Sequence, residues 1–168
     1  MQPRFNDAEV ELLYRQHGKV LLLFARAIVG DKASAQDAVH QVFLKMLQSA
    51  KLHQIADVKA YLFASVRNAI LNDSKVQQRN VTLAEESAWF EPPLRDYAAE
   101  QKLRRALCDL PEEQRQVVVL HLWGEFTLSQ IASILEISAN TAASRYRYAL
   151  ARLREAMCVK ENTCAHPR

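Results

Sequence analysis

Near the end of the chain, Ala142, Tyr146, Ala149 and Leu153 recur at spacings of four, three and four, so a helix there carries them as one stripe facing a core. Its outward arc holds Thr141, Ser144, Arg145, Tyr148 and Arg152, with Arg147 and Arg154 along one flank. The same period recurs upstream. Residues 7–17 and 19–29 read as two helical stretches separated at Gly18, and Gly30 supplies a C-terminal stop. The next helix opens at "SAQD", where Ser34 can cap and Asp37 can reach back as in a capping box. It turns Ala38, Val39, Val42, Phe43, Met46 and Leu47 inward. On its other face Leu44 projects among Asp37, His40, Gln41 and Gln48, a large apolar side chain on a polar surface.

Asp57 caps a fourth predicted helix, "VKAYLFASVRNAILNDSKVQQR", with Phe63, Val66 and Ile70 inward. Along it Asn68, Asn72, Lys75 and Arg79 follow at four, three and four, a face of amides and cations suited to polar, anionic ligands. From residue 80 to about 97 the period fails, acids cluster, and Pro92-Pro93 excludes a continuous helix, which marks a boundary. Trp89 and Phe90 within it are expected to pack on something. The pattern restarts over residues 100–110, and Pro111 in a first-turn position with Glu112 and Glu113 opens a further helix that ends at Gly124. Thr127 and Gln130 form another capping box ahead of a short helix with Ile131, Ile134 and Leu135 inward. "EIS" makes a turn and Ser138 caps the arginine-bearing helix, which together predict a helix-turn-helix.

With three glycines in 168 residues and no sustained period-two alternation, the expected fold class is all-α, in two small helical domains joined by an acidic linker. The boundaries read as 1–79, a linker at 80–97, a second domain at 98–158 and a tail at 159–168. A net charge of +3 is only mildly basic, so the position of the charge is what informs. Residues 139–154 contain no carboxylate, which favours an anionic partner over a merely solvated face. A helix-turn-helix lays its second helix in the major groove. Asn140, Thr141, Ser144 and Arg145 suit base edges, Arg147, Arg152 and Arg154 suit phosphates, and Tyr148 suits a sugar or thymine methyl.

Other chemistry is weakly supported. His17, His40, His53, His121 and His166 are scattered, and no metalloprotease, nucleophile-elbow or phosphate-loop motif occurs, so neither an enzyme nor a metal or other cofactor is expected. Cys108, Cys158 and Cys164 read as reduced thiols in a cytoplasmic protein. The apolar run at residues 20–29 is interrupted by Arg26 and is too short to span a bilayer, so no membrane insertion is expected.

Motif order and spacing over nearly the whole chain resemble a bacterial sigma-70 family RNA polymerase sigma factor of the extracytoplasmic-function type. "QDAVHQVFLKML" resembles its polymerase-docking segment and "YLFASVRNAILND" the segment engaging the minus-10 element. "LPEEQRQVVVL" and "IASILEISANTAASRYRYALARLRE" resemble the domain that reads the minus-35 element. The resemblance implies core RNA polymerase as partner, met at the clamp coiled coil of the largest subunit and at the flap region, with Asp37, His40, Gln41, Leu44 and Gln48 as contacts. It implies minus-10 contacts from Lys51, His53, Arg67, Asn68, Asn72, Lys75 and Arg79, and adds Thr127 and Ser138 to the minus-35 set. An anti-sigma factor is a further expectation of the family. The chain departs from the common pattern at His40-Gln41, where the family has Gln-Glu, in a weaker basic run after Asp73, at Glu136, where a glycine is usual, and at Ala143, where a lysine is. A stand-alone helix-turn-helix regulator, independent of polymerase, is the alternative.

Overall fold

The computed structural model describes residues 7–48, 55–74 and 97–158. Among them there are helices and no strands: α1 (Asp7–Val29), α2 (Lys32–Gln48), α3 (Val58–Ser74), α4 (Tyr97–Cys108), α5 (Glu112–Leu122), α6 (Leu128–Leu135) and α7 (Ala139–Cys158). The first three helices pack on one another, and α7 packs on α4, α5 and α6. The two groups also meet, α1 against α5 and α3 against α6.

The helix ends follow local chemistry. Asp57 accepts from the Ala60 amide at 2.9 Å, and Gly30 ends α1 with φ 83 while its N–H donates to the Arg26 carbonyl at 2.9 Å. Thr127 and Gln130 close the reciprocal box that begins α6. Ser138 accepts from the Thr141 amide at 3.0 Å to begin α7.

Three expectations are corrected. Gly18 does not divide α1, which runs unbroken past it with Gly18 buried beneath the Tyr14 ring. The loss of about 1 kcal/mol that glycine brings to a helix interior is outweighed by the packing of the turns on either side. Ser34 is not the cap of α2; Asp31, three residues earlier and directly after the glycine stop of α1, takes that role and accepts from the Ser34 amide at 2.8 Å. Pro111 is the N-cap of α5 and not a member of its first turn.

Residues 23–27 of α1 and 115–120 of α5 are buried consecutively, on every side of their helices. A helix covered all round needs neighbours all round. α1 obtains them from α2 and α3 on one side and α5 on the other, while α5 lies between α1 and α7 and reaches the α4 cluster through Val118. Val117, Val119 and Leu120 therefore share one core with Leu21, Phe24 and Phe63, whereas Val118 joins Leu107, Leu110, Ala149 and Leu153 in a second. Lys102 donates to the Met157 carbonyl and ties α4 to the end of α7.

At the seam, Phe126 sits edge-on to Phe63, ring centroids 5.1 Å apart at 80°, and Lys59 Nζ lies 4.6 Å from the Phe126 centroid. The turn that presents Phe126 is tight. A Cβ at Gly124 would lie 2.5 Å from the Leu120 carbonyl oxygen and 2.8 Å from the Phe126 ring. Nearby, the Arg115 guanidinium donates to the carbonyls of Ala27 at 3.3 Å, Cys108 at 3.2 Å and Leu110 at 2.9 Å.

Truncating Phe126, 3% exposed, to alanine should lower folding stability by about 3–5 kcal/mol in urea titration. A loss below about 1 kcal/mol would mean that the seam is not packed in solution. His17, on α1, is held below its ordinary value of 6.5 by burial first and by the neighbouring Lys59 charge second. The folded state thus binds its proton less readily than the unfolded chain, so this contribution is present above 6.5 and is lost as pH falls through the lowered folded value. Stability should decline as the solution is acidified from about pH 7 to about pH 5, with a shallower slope in His17→Gln.

Candidate nucleic-acid and protein interfaces

The recognition half of the helix-turn-helix divides as its sequence pattern requires. Ala142, Ala149 and Leu153 of α7 are buried, while Asn140, Arg147, Tyr148, Arg152 and Arg154 are exposed and Thr141 and Ser144 are half-buried. The Arg147 guanidinium lies 5.2 Å from the Tyr148 ring centroid, so an exposed cation and an exposed aromatic form one platform. Thr127 and Ser138 engage their side-chain oxygens as caps, and Ser138 Oγ also lies 2.8 Å from the Thr141 hydroxyl. In that position they set the two helix N-termini, whose amides and positive dipole ends favour phosphate.

Arg145 differs from the other three arginines. Its side chain is 26% exposed and its guanidinium lies 3.6 Å from Glu113, at the start of α5. The carboxylate-free run on α7 does not report this neighbour, because Glu113 comes from another helix. With Glu113 68% exposed, the pair is solvent-screened and contributes at most about 1 kcal/mol. The arginine is oriented by it and still has water access from which to reach an anion.

In the first half, Leu44 is 56% exposed, and it is not isolated. It borders an apolar groove of about 440 Å³ between the start of α1 and α2, lined also by Val10, Tyr14, His40, Phe43 and Leu47, with Asp7 and Glu11 at its edge. Tyr14 stands edge-on to Phe43 at 5.2 Å and 77°, and its ring centroid is 6.5 Å from that of His40. Asp37, Gln41 and Gln48 are exposed on α2. Tyr14 was missed in sequence because a break at Gly18 hid the continuous face that α1 turns toward α2.

On α3 the structure brings together Asn68 and Asn72 on the exposed side and adds Tyr61 and Leu71, exposed at 37% and 40%. The spacing of Tyr61, Asn68 and Asn72 by seven and four would have revealed the aromatic member of this face. Arg67 is set apart from it: its side chain is 18% exposed and lies 3.7 Å from Glu136 of the α6–α7 turn. Lys51, His53, Lys75 and Arg79 lie outside the described residues, as do Trp89, Phe90, Cys164 and all of the acidic linker except Tyr97. Among the described residues no cluster of His, Cys, Asp and Glu has the geometry to hold a metal ion, and no helix is long and apolar enough to cross a membrane.

Both halves of the chain have counterparts among known proteins. Residues 13–80 match the family described as Sigma-70 region 2, and residues 100–153 match Sigma-70, region 4. The ECF RNA polymerase sigma factor SigL of Mycobacterium tuberculosis (strain ATCC 25618 / H37Rv) is 32% identical over 157 residues, covering 88% of this chain and 88% of the relative. The RNA polymerase sigma-E factor of Streptomyces coelicolor is 30% identical, covering 91% of this chain and 88% of that protein. Among solved structures, the sigma factor RpoE in complex with the anti-sigma factor NepR, from Bartonella quintana, shares the fold with a TM-score of 0.69 at 23% identity, covering 89% of this chain and 99% of that one. CnrH in complex with the cytosolic domain of CnrY does so with a TM-score of 0.63 at 19% identity, covering 92% and 91%. With both halves matched in order and relatives at 30% and 32% identity covered over 88% of their length, the chain belongs to the extracytoplasmic-function group of sigma-70 RNA polymerase sigma factors.

Proposed function

We propose that the chain binds core RNA polymerase and directs promoter-specific initiation of transcription. Residues 1–79 dock on the polymerase and engage the minus-10 element, and residues 98–158 read the minus-35 element through α6 and α7. The observation that carries this reading is the pairing, in one chain, of an arginine-faced helix-turn-helix with a second helical half that leaves Leu44 and Tyr14 exposed beside an apolar groove. A contiguous apolar opening with acids at its rim suits a partner helix that brings its own apolar and basic residues.

Sigma factors are a family of non-catalytic initiation factors, and as one of them the chain acts by binding alone. It supplies binding surfaces. The exposed cations of α7 neutralise phosphates and so position the helix, while Asn140, Thr141, Ser144 and Arg145 near its N-terminal end face base edges. On α3, the amides of Asn68 and Asn72 with the ring of Tyr61 suit an unstacked single strand, since a base offers both a π-face and hydrogen-bonding edges. The work is done in the cytoplasm, where promoter DNA and polymerase are found. By the same reading an anti-sigma factor is a partner, as RpoE has in NepR.

Core-polymerase capture followed by run-off transcription tests the assignment. Leu44→Asp should abolish capture while the far-UV circular dichroism of the chain stays unchanged; capture at the wild-type level would remove the α1/α2 groove from the interface. Strong binding of the free chain to a palindromic duplex without polymerase association would instead identify a stand-alone regulator. Arg145→Ala should reduce discrimination among minus-35 sequences by about 1–3 kcal/mol in competition binding, as expected for a bidentate contact to guanine. An equal loss on all sequences would make Arg145 a phosphate contact.

A further inference from the structure

The turn between α6 and α7 pivots on Glu136, whose backbone lies in the left-handed region at φ 55, ψ 44. Glycine adopts that conformation without steric penalty, whereas a residue with a Cβ does not. The backbone thus favours a residue without a side chain, yet the position carries a carboxylate. That carboxylate points across the seam to Arg67 of α3, 3.7 Å away, in the other half of the molecule. Around this contact Phe63, Phe126 and Lys59 close the same seam.

The seam has to part for the proposed function to proceed. Elements named for positions ten and thirty-five lie roughly 85 Å apart on a straight duplex at about 3.4 Å per step, whereas α3 and α6 touch. The chain between the described ends of α3 and α4, residues 75–96, reaches roughly 75 Å when fully extended, and the remaining roughly 10 Å is no more than the width of one helix in the halves it joins. Arg67 cannot hold Glu136 and a DNA phosphate with the same guanidinium edge.

We propose that Glu136 is an autoinhibitory contact: its carboxylate stands in for a nucleic-acid phosphate on Arg67 while the two halves are closed and releases that arginine when they part. The proposal rests on the assignment of α3 to the minus-10 strand. It is a competition between two anions for one cation, so it acts on affinity and leaves the fold unchanged. With Glu136 69% exposed, the contact is solvent-screened, and its removal should shift binding by up to about fivefold.

The test is fluorescence anisotropy of the full chain with a fluorescein-labelled, random-sequence, single-stranded DNA twelve-mer at low ionic strength. Glu136→Gln keeps the backbone conformation and side-chain length but removes the charge. Glu136→Gly also relieves the left-handed strain, so a folding defect in the first variant would not recur in the second. Both should bind up to about fivefold more tightly than wild type, and the gain should vanish when Arg67→Ala is added. Glu125→Gln serves as the control for general charge, because Glu125 is another exposed acid at φ 55 in the second half. An equal gain with and without Arg67, or a gain no larger than that of Glu125→Gln, would overturn the proposal while leaving the α3 assignment intact. If Arg67→Ala changes DNA binding in neither background, the α3 assignment itself fails at that residue, and the proposal with it.

Discussion

Arg115 is where the two halves share a single electrostatic need. The last carbonyls of a helix have no donor within the helix, and burying them unpaired costs about 1–3 kcal/mol each. The guanidinium of Arg115, 7% exposed, meets one such carbonyl at the end of α1 and two at and just beyond the end of α4. Burial pushes its pKa down, opposed by the nearby Cys108, Glu112 and Asp109 groups, and a guanidinium keeps its proton in a protein interior. A lysine, with one compact ammonium, lacks the planar fork that serves three acceptors from two directions. Placing this fork requires α5 to run between α1 and α4, and that in turn buries α5 on every side.

The consequence for function is a division of labour among helix faces. Each binding helix spends one side on the core, and the side left over is what a partner meets. In α7 the core side is made of small residues, Ala142 and Ala149, with Leu153 at the far end, so the helix sits close against α5 and presents its long cations outward. In α2 the buried row from Ala35 to Met46 fixes the helix on α1, and that docking shapes the groove beside Leu44.

Local features were legible in the sequence. The caps at Asp57, Thr127 and Ser138, the stop at Gly30 and the order of a short helix, a turn and a longer helix depend on residues within four positions of one another. The continuity of α1 was not legible, because it is decided by tertiary burial around Gly18 and not by the glycine's own propensity. The packing of one half on the other was half-signalled: apart from Arg26 and Gln116, "LLLFARAIV" and "QVVVL" are apolar runs too continuous for one face, and such helices have to be covered on several sides. What no periodicity can say is which helix covers which. For the same reason Glu113 beside Arg145 and Glu136 beside Arg67 were invisible until the helices were placed, since each pair joins residues more than thirty positions apart.

The tight turn at Gly124 reaches further than its size suggests. Any substituent there would strike both a backbone oxygen and the ring of Phe126, and that ring also touches α3. An inherited change at this one codon would be felt in the other half of the molecule, so the history of the two halves is joined at a residue that carries no side chain at all.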